Sequence, residues 1–401
     1  MPADIKIDDF FKREALYIQN GFACGDWNDV GRGIIQLRPF NISENGEIDL
    51  SASKFVEVER DLQAYLLKTN DVIFNNTNSE NLVGKTALWT KDQKAVLSNH
   101  MTIVRALKED LLSPQFVAFY LLKKWMDGYF HQVCRRHVNQ ASVSIERLKD
   151  TPFPDFEISE QHQITHVLST VQTAIEQQAR LIALTRELKS TLMHKLFTEG
   201  LLGEKQKDTE IGLMPESWRT TKLGDLVNIR TGKLDSNAAT PFGQYPFFTC
   251  SQQTARIDTF AFDTEAILLA GNNARGVYSV KHYKGKFNAY QRTYVLTQKD
   301  ENQMPYSFLL YALATNLEHL RTVSIGTSTK YLTLGILQNL PIIKPDYDEA
   351  EEIGNAFALI DNKIELVKQK KRLLEEIFRT LLHQLMTGQT RVNEINLPGL
   401  S

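Results

Sequence analysis

The internal repeat that organises this 401-residue chain aligns residues 160–198, EQHQITHVLSTVQTAIEQQARLIALTRELKSTLMHKLFT, with residues 349–387, EAEEIGNAFALIDNKIELVKQKKRLLEEIFRTLLHQLMT. The two stretches align without a gap at a separation of 189 residues, and 11 of the 39 pairs are identical. Unrelated sequences of this composition would share about two or three identities, so the similarity indicates duplication.

Each copy of the repeat predicts a long helix with a coiled-coil seam. Alternating steps of four and three residues from Ile353 to Leu385 meet ten positions, of which nine are apolar. The same steps from Ile164 to Leu196 meet seven apolar positions of ten. This 3.5-residue spacing is typical of helices that pack on one another. A proline precedes and a glycine follows each copy, as helix boundaries favour: Pro152, Gly200, Pro341 and Gly388. We therefore predict that the two helices pack antiparallel.

The regions before the helices predict two variable domains of one kind. Strand-like runs occupy 72–74 and 101–106 in the first region, and 266–270 and 293–297 in the second, and each region then has a helix-like stretch, 114–126 and 305–321. We expect an α/β (α+β) fold, because strands and helices alternate irregularly. The predicted boundaries are 1–155 for domain 1, 156–200 for the first long helix, 201–220 for a polar linker, 221–345 for domain 2, 346–390 for the second long helix and 391–401 for a tail.

Composition and charge narrow the possible functions. The chain has 46 Lys and Arg against 48 Asp and Glu, a net charge of −2, which argues against a protein that coats nucleic acid indiscriminately. Residues 221–345 nevertheless hold 13 basic and 8 acidic residues, which is compatible with a local nucleic-acid surface. No apolar run reaches the ~18–20 residues of a membrane helix. The three cysteines show no CxxC spacing, and they predict a reducing, cytoplasmic location.

The familiar catalytic motifs are incomplete. The GKT at Gly84–Thr86 lacks the upstream glycine of a phosphate-binding loop, because position 79 is serine. His162 and His166 have the spacing of two metal ligands but no evident third one. We therefore predict neither a catalytic site nor a metal site in this chain.

Side chains suited to DNA recur in loops at matching places in both halves. Asn, Gln and Arg make bidentate contacts with base edges, whereas Lys, Ser and Thr suit phosphates. The alternative is that the Asn and Gly residues simply build turns. The candidates in the first half are Asn75, Asn76, Lys85, Asn99, His100, Arg135, Arg136, Asn139 and Gln140. Those in the second half are Lys233, Asn272, Asn273, Arg275, Lys281, Lys284, Gln291, Arg292, Thr327, Ser328 and Lys330.

The order of these features resembles the specificity (S) subunit of type I restriction–modification systems, over nearly the whole chain. The resemblance rests on VGKTALW (83–89), SNHMTIVRA (98–106), ASVSIERLKDTPFPDF (141–156), MPESWRTTKLGDLVNIRTGK (214–233) and the helix endings LKSTLMHKLFTEGL (188–201) and FRTLLHQLMTGQTRV (378–392). One departure is that residues 1–16 lack the Trp-x4-Leu-Gly opening found at Trp218–Asp225, which leaves the start of domain 1 open.

The resemblance implies a non-catalytic subunit that recognises an asymmetric, bipartite target in double-stranded DNA. Two modification subunits would methylate adenine, and two restriction subunits would complete the complex. S-adenosylmethionine, ATP and Mg²⁺ would be bound by those partners, with no cofactor in this chain. Two domains held apart by a helix pair would contact half-sites about one DNA turn, ~34 Å, apart.

The apolar ends of the long helices are candidates for docking the modification subunits. We expect Leu196, Phe197, Leu385 and Met386 to be exposed there; the alternative is that they only close the coiled coil. Two other functions stay open. A recognition chain of a type IIB-like or phage-defence methyltransferase would share this layout, and so would a scaffold that binds proteins rather than DNA.

Overall fold

A computed structural model of the chain describes residues 4–59, 61–274, 276–300 and 302–394. The chain folds into two compact units. Unit 1 comprises residues 1–179 and 369–401, and unit 2 comprises residues 180–368. Each unit therefore contains one variable domain and a part of both long helices. None of the helices in the described ranges is long and apolar enough to cross a bilayer.

Unit 1 contains the first twelve strands and the first four helices, with the beginning of the fifth. The strands are β1 Asp4–Lys6, β2 Leu16–Asn20, β3 Ile34–Leu37, β4 Lys54–Val56, β5 Val72–Asn75, β6 Thr77–Asn78, β7 Thr86–Leu88, β8 Ala95–Leu97, β9 Met101–Ala106, β10 Arg135–Arg136, β11 Ala141–Ser142 and β12 Pro152–Pro154. The helices are α1 Ile7–Lys12, α2 Pro114–Met126, α3 Tyr129–Val133, α4 Ile145–Lys149 and α5 Ile158–Glu199.

Two main sheets form the domain of unit 1, beside the short β1–β12 pair and the three short strands β10-β11-β6. The order β2-β9-β5-β7 is antiparallel throughout, while the order β4-β3-β8 contains a parallel pair between β3 and β8. Helix α2 packs on the first sheet, and it begins where the Ser113 hydroxyl accepts a hydrogen bond from the Phe116 amide. The buried phenylalanines Phe74, Phe116 and Phe130 fill the space between them. Burial of this apolar surface is the main stabilising contribution.

The beginning of α5 lies against the end of α10 (Tyr347–Met386) in unit 1. Ile164, Leu168 and Ile175 share one hydrophobic core with Phe378 and Leu385, so the two helices run antiparallel here. The ring of Phe378 is fully buried and meets the Phe119 ring edge to face, with the centroids 5.9 Å apart. The seam that the sequence pattern predicts is therefore a buried surface that also holds the domain against the helices.

Unit 2 contains the other twelve strands. They are β13 Gln206–Thr209, β14 Gly212–Pro215, β15 Arg219–Lys222, β16 Val227–Thr231, β17 Tyr245–Phe248, β18 Ala255–Ile257, β19 Phe262–Ala270, β20 Asn272–Asn273, β21 Val280–Ala289, β22 Thr293–Gln298, β23 Lys330–Tyr331 and β24 Pro341–Lys344. Its helices are α6 Leu223–Leu226, α7 Tyr306–Thr315, α8 Leu317–Val323, α9 Leu334–Gln338 and most of α10.

The domain of unit 2 repeats the strand pairing of unit 1. Its six-stranded sheet has the order β16-β22-β19-β21-β17-β18, beside the two-stranded sheets β13-β14, β15-β24 and β20-β23. Strand β16 pairs with β22 as β2 pairs with β9, and β22 pairs with β19 as β9 pairs with β5. The parallel pair β17–β21 corresponds to β3–β8, so the long β21 takes the places of both β7 and β8. The repeat therefore extends through the variable domains, although their sequences differ.

Antiparallel helix packing also occurs in unit 2, between the end of α5 and the beginning of α10. Phe197 packs against Phe308 and Phe357 in a buried cluster. Beside it, the Lys189 ammonium lies 2.6 Å from the Asp361 carboxylate, which also accepts a 2.8 Å hydrogen bond from the Tyr311 hydroxyl. Burial raises the pKa of the Tyr311 hydroxyl, and the adjacent Asp361 carboxylate raises this pKa further. The predicted mixed fold with two long antiparallel helices is confirmed.

Two expectations differ from the structure. The range 201–220, expected to be a polar linker, forms the hairpin β13–β14 and strand β15, because Met214 and Trp218 are buried in the core of unit 2. The helix ends were expected to be exposed, and this is wrong for Phe197, Leu385 and Met386, which are buried, while Leu196 is partly buried. Their apolar side chains complete the hydrophobic cores, so the exposed docking surface that they were expected to form does not exist in this structure.

Candidate nucleic-acid interface

Three loops of unit 1 that the sequence singled out converge at one end of the sheet. Strand β6 follows β5 and pairs with β11, which in turn pairs with β10. The amides of Asn76 and Thr77 donate hydrogen bonds to the carbonyl oxygen of His100, and the amide of Val143 donates to that of Asn76. The backbone therefore joins the loops around residues 76, 100 and 135–143 into one surface. We call these loops, and their counterparts in unit 2, the convergent loops.

The corresponding loops of unit 2 are joined in the same way. Strand β20 pairs with β23. The amide of Gly271 donates to the carbonyl oxygen of Arg292, and the amide of Leu332 donates to that of Gly271. Val143 and Leu332 are 189 residues apart, the same separation as in the long helices. These matching backbone hydrogen bonds show that Asn76 corresponds to Gly271, His100 to Arg292 and Ser142 to Tyr331.

A glycine permits a close backbone approach in each unit. A Cβ atom at Gly21 would overlap the carbonyl oxygens of Leu97 and Ser98, and one at Gly232 would overlap those of Ala289 and Tyr290. Larger residues do not fit without a backbone shift. Gly21 directly follows β2, and Gly232 directly follows β16. Each glycine lets the end of its strand approach the backbone at residues 97–98 or 289–290.

Three predicted DNA-contacting residues in unit 1 are buried, which corrects their assignment. Asn75, Asn76 and Lys85 are 0%, 7% and 6% exposed. The Asn76 amide nitrogen donates to the Thr102 hydroxyl at 2.9 Å and the Asn20 side-chain oxygen at 3.3 Å. The Lys85 ammonium donates to the carbonyl oxygen of Ile42, and burial lowers the pKa of Lys85. The Asn76 amide and the Lys85 ammonium thus have hydrogen-bond partners inside the domain. Burial keeps all three side chains away from base edges and phosphates.

We expect Asn76→Ala to lower the free energy of unfolding by about 1–3 kcal/mol, because it removes buried hydrogen bonds and leaves the Asn20 oxygen with fewer donors. Asn139→Ala, on the exposed hairpin turn, is the matched control and should change stability by less than about 0.5 kcal/mol. Denaturant unfolding of both variants measures the difference. Equal stability of the two would contradict the structural role of Asn76.

The exposed candidates of unit 1 lie on the β10–β11 hairpin and the neighbouring turn. Arg135, Arg136, Asn139, Gln140 and Asn99 are exposed, and His100 is partly buried. Arg136 forms a 3.2 Å ion pair with Glu80. The hairpin also presents His137, whose ring nitrogen lies 3.3 Å from the Ser142 hydroxyl. The sequence pattern missed His137, although it stands inside a run of polar, DNA-compatible residues.

In unit 2 the exposed candidates surround the junction of β20, β22 and β23. Gln291 and Arg292 are exposed, Asn272, Asn273 and Lys330 are partly buried, and Lys233, Thr327 and Ser328 are exposed in adjoining loops. Within the described ranges, no carboxylate forms an ion pair with Arg292. Arg275 lies outside the described residues.

The lysines of β21 lie on opposite faces of the strand. Lys281 donates hydrogen bonds to the Ser251 carbonyl oxygen at 3.0 Å and the Thr254 hydroxyl at 3.2 Å, and burial lowers its pKa. Lys284 forms a 2.9 Å ion pair with Glu265, which His282 also contacts at 2.9 Å. Lys281 is therefore held by the loop at 251–254, whereas Lys284 belongs to a separate polar cluster on the other face of the strand.

The incomplete motifs have structural explanations. Gly84 has φ +95°, and a Cβ atom there would overlap the Phe130 ring, so GKT is a packed turn rather than a phosphate loop. His162 and His166 are exposed on α5. In the described part of the chain, no three His, Cys, Asp or Glu side chains are grouped as metal ligands.

Comparison with known families gives one match over most of the chain. The sequence pattern of the type I restriction modification DNA specificity domain matches residues 40–186 and again residues 215–376. The two matches cover both variable domains and most of both long helices.

Relatives of the chain carry corresponding names. The type I restriction enzyme EcoDI specificity subunit of Escherichia coli is 36% identical over 182 residues, which are 44% of this chain and 40% of that protein. The type I restriction enzyme MjaVIII specificity subunit of Methanocaldococcus jannaschii is 25% identical over 375 residues, which are 86% of this chain and 84% of that protein. The similarity to the archaeal protein therefore includes both halves.

The fold also has a counterpart among solved structures. The S subunit of a type I restriction–modification system from M. genitalium has a TM-score of 0.66 with 17% sequence identity, and the similarity covers 96% of each chain. At this identity the similarity concerns the fold.

Proposed function

Because the chain belongs to the type I restriction–modification DNA specificity family, we propose that each of its two variable domains recognises a different half of one bipartite DNA target. The chain is a non-catalytic recognition subunit, and it recognises a DNA sequence. The observation that supports a division of labour is the shared backbone of the two loop surfaces. The same hydrogen bonds join the three loops in both units.

Different side chains on a shared framework produce different specificities. The exposed hairpin of unit 1 carries Arg135, Arg136 and Gln140, whereas the surface of unit 2 carries Gln291 and Arg292. Arginine and glutamine side chains contact guanine and adenine edges in the major groove. Two unequal surfaces therefore favour an asymmetric target.

Selection of duplexes from a randomised library by the purified complex with its modification subunits tests this function. We expect two short conserved half-sites separated by positions without base preference. Specific binding should exceed binding to scrambled duplexes by about 1,000-fold or more. A complex that retains all duplexes equally would contradict DNA recognition, and a single continuous motif would contradict the bipartite assignment.

The modification subunits need a surface on this chain, and α10 offers an apolar one in each unit. In unit 2, Leu359 and Leu366 are 69% and 62% exposed. In unit 1, Leu373 and Ile377 are exposed on the same helix. Within unit 2, Leu359 and Leu366 are seven residues apart, the spacing at which a further helix packs. We propose that helices of the modification subunits cover these residues, in place of the buried helix ends.

We expect Leu366→Glu to weaken binding of the modification subunits by about 30-fold or more, because a charge would enter an apolar contact. The variant should unfold at the wild-type temperature, since Leu366 is exposed in this chain. Ala356→Glu, also exposed on α10 but outside the seven-residue series, is the matched control. Co-purification and analytical ultracentrifugation measure the loss. Binding of Leu366→Glu at wild-type strength would exclude this surface.

Catalysis and its cofactors are proposed to belong to the partners. Adenine methylation with S-adenosylmethionine would occur in two modification subunits, and two restriction subunits would bind ATP and Mg²⁺. Relatives of this chain come from a bacterium and an archaeon, and the proposed location of the complex is the cytoplasm.

A further inference from the structure

The helix packing of unit 2 contains an ion pair whose counterparts in unit 1 are uncharged. The Lys189 ammonium donates hydrogen bonds to both carboxylate oxygens of Asp361, at 2.6 and 2.7 Å. It also lies 4.8 Å from the centroid of the Tyr311 ring, and the Tyr311 hydroxyl donates to the same carboxylate at 2.8 Å. The two charged side chains are 21% and 44% exposed, so the pair is partly buried and held in one geometry.

The equivalent residues of unit 1 follow from the 189-residue repeat. Phe378 stands at the position of Lys189, and Gln172 stands at the position of Asp361. Phe378 is fully buried in the core of unit 1. The Gln172 side-chain amide donates to the Asn45 carbonyl oxygen at 3.1 Å. One position of the duplicated helix is thus an apolar core residue in unit 1 and a paired cation in unit 2.

The neighbouring buried residues are similar in the two copies of the helix. The α10 residues buried in the core of unit 1 are Phe378, Leu382, Leu385 and Met386. The residues of α5 aligned with them are Lys189, Met193, Leu196 and Phe197. The last three are apolar and lie in or against the core of unit 2. At these three positions either helix could take the place of the other, and Lys189 is the exception.

We propose that Lys189 and Asp361 make each long helix select the other one and reject a second copy of itself. A pair of two α5 helices would place Lys189 in the fully buried site of Phe378, where the facing residue is Gln172 rather than a carboxylate. A pair of two α10 helices would place Phe378 beside Asp361 and remove the ammonium from this carboxylate. Burial of a charge without its partner is strongly unfavourable, so the mixed pair of α5 and α10 is favoured.

This device has a consequence for the DNA target. Polar and charged residues in an otherwise apolar helix seam set the choice of partner helix. Under the proposed function, mixed pairing keeps two unequal DNA surfaces in one molecule, whereas a pair of identical halves would carry the same surface twice. The pairing itself involves no DNA, so it can be measured independently of the proposed function.

Exchange of fragments within the complete protein tests the inference. A protease site inserted after Leu202, which is 89% exposed in the loop that follows α5, allows the folded chain to be cut into two associated fragments. Isotope-labelled and unlabelled cut proteins are incubated together until the labels have mixed, and native mass spectrometry then gives the composition of each pair. We expect mixed pairs of the wild type to outnumber pairs of identical fragments by about 100-fold or more.

The double variant Lys189→Phe/Asp361→Gln gives unit 2 the residues of unit 1 and removes the distinction between the helices. The share of pairs of identical fragments should then rise by at least about 20-fold, because specificity is a difference between affinities. Lys189→Leu/Asp361→Asn makes the same change with smaller side chains and should behave alike. The control Glu365→Gln/Lys368→Gln removes an exposed ion pair of α10 and should leave mixed pairs dominant.

Each outcome decides between the alternatives. Mixed pairs that remain dominant in both neutral variants would overturn the inference, and so would abundant pairs of identical fragments in the wild type. Neither result concerns DNA recognition. A complex that binds all duplexes equally would instead contradict the proposed function, without altering the composition expected for the fragments.

Discussion

Phe378→Asp should lower the free energy of unfolding of the chain by about 4 kcal/mol or more. The side chain is fully buried at the point where α10, α2 and the beginning of α5 share one core. The substitution removes its apolar contacts and places a carboxylate where no compensating partner is available. The loss should appear as a large decrease in the melting temperature together with the disappearance of modification-subunit binding.

The matched control is Ile377→Asp, the preceding residue on the same helix, which is 45% exposed. The same change in chemistry at this position should cost less than about 1 kcal/mol of stability. Thermal unfolding of both variants, followed by circular dichroism, measures the contrast. Equal melting temperatures for the two variants would show that the seam is not the buried core described here.

The double variant Gln291→Ala/Arg292→Ala should reduce discrimination in the half-site of unit 2 by about 100-fold or more. Each lost bidentate contact with a base edge removes about 1–3 kcal/mol of discrimination. The side chains are exposed, and they are joined to the framework through the Gly271 and Gln291 amides. Stability should therefore remain close to that of the wild type.

Affinity for a panel of single-base variants at two salt concentrations measures this effect. The control is Lys284→Ala, whose ammonium is paired with Glu265 away from the convergent loops. It should leave every base preference intact, with any weakening spread uniformly over the panel. A uniform loss for the double variant, without relaxation at particular bases, would contradict base contact by Gln291 and Arg292.

The features set by long-range periodicity could be predicted from the sequence. The seven-residue spacing and the 189-residue repeat predict α5 and α10 within a few residues of their observed ends. Helix α2 begins and ends at the predicted residues, 114 and 126, since Ser113 and Pro114 provide a start and a short apolar run fixes its length. The second predicted helix, 305–321, is instead two helices that meet at Asn316.

Features that depend on tertiary contacts could not be predicted in this way. Strand β21 contains lysines, a histidine and a glycine at 281–286, which hide its alternation, so the sequence pattern indicates basic loops there. Asn76 and Lys85 have DNA-compatible side chains, but their burial follows from hydrogen bonds to residues 20, 102 and 42. The close approach of the Gly271 backbone to the Arg292 carbonyl oxygen joins segments that are distant in sequence.

We propose that the two domains recognise separate halves of one target. Mapping of methylated adenines in cells tests it most directly, with this chain supplied as wild type, as Arg135→Ala/Arg136→Ala and as Gln291→Ala/Arg292→Ala, each with its modification subunit. We predict one bipartite motif for the wild type. Each double variant should relax a different half of that motif, and the spacer between the halves should stay the same length. Relaxation of the same half by both variants, or a changed spacer, would contradict the claim.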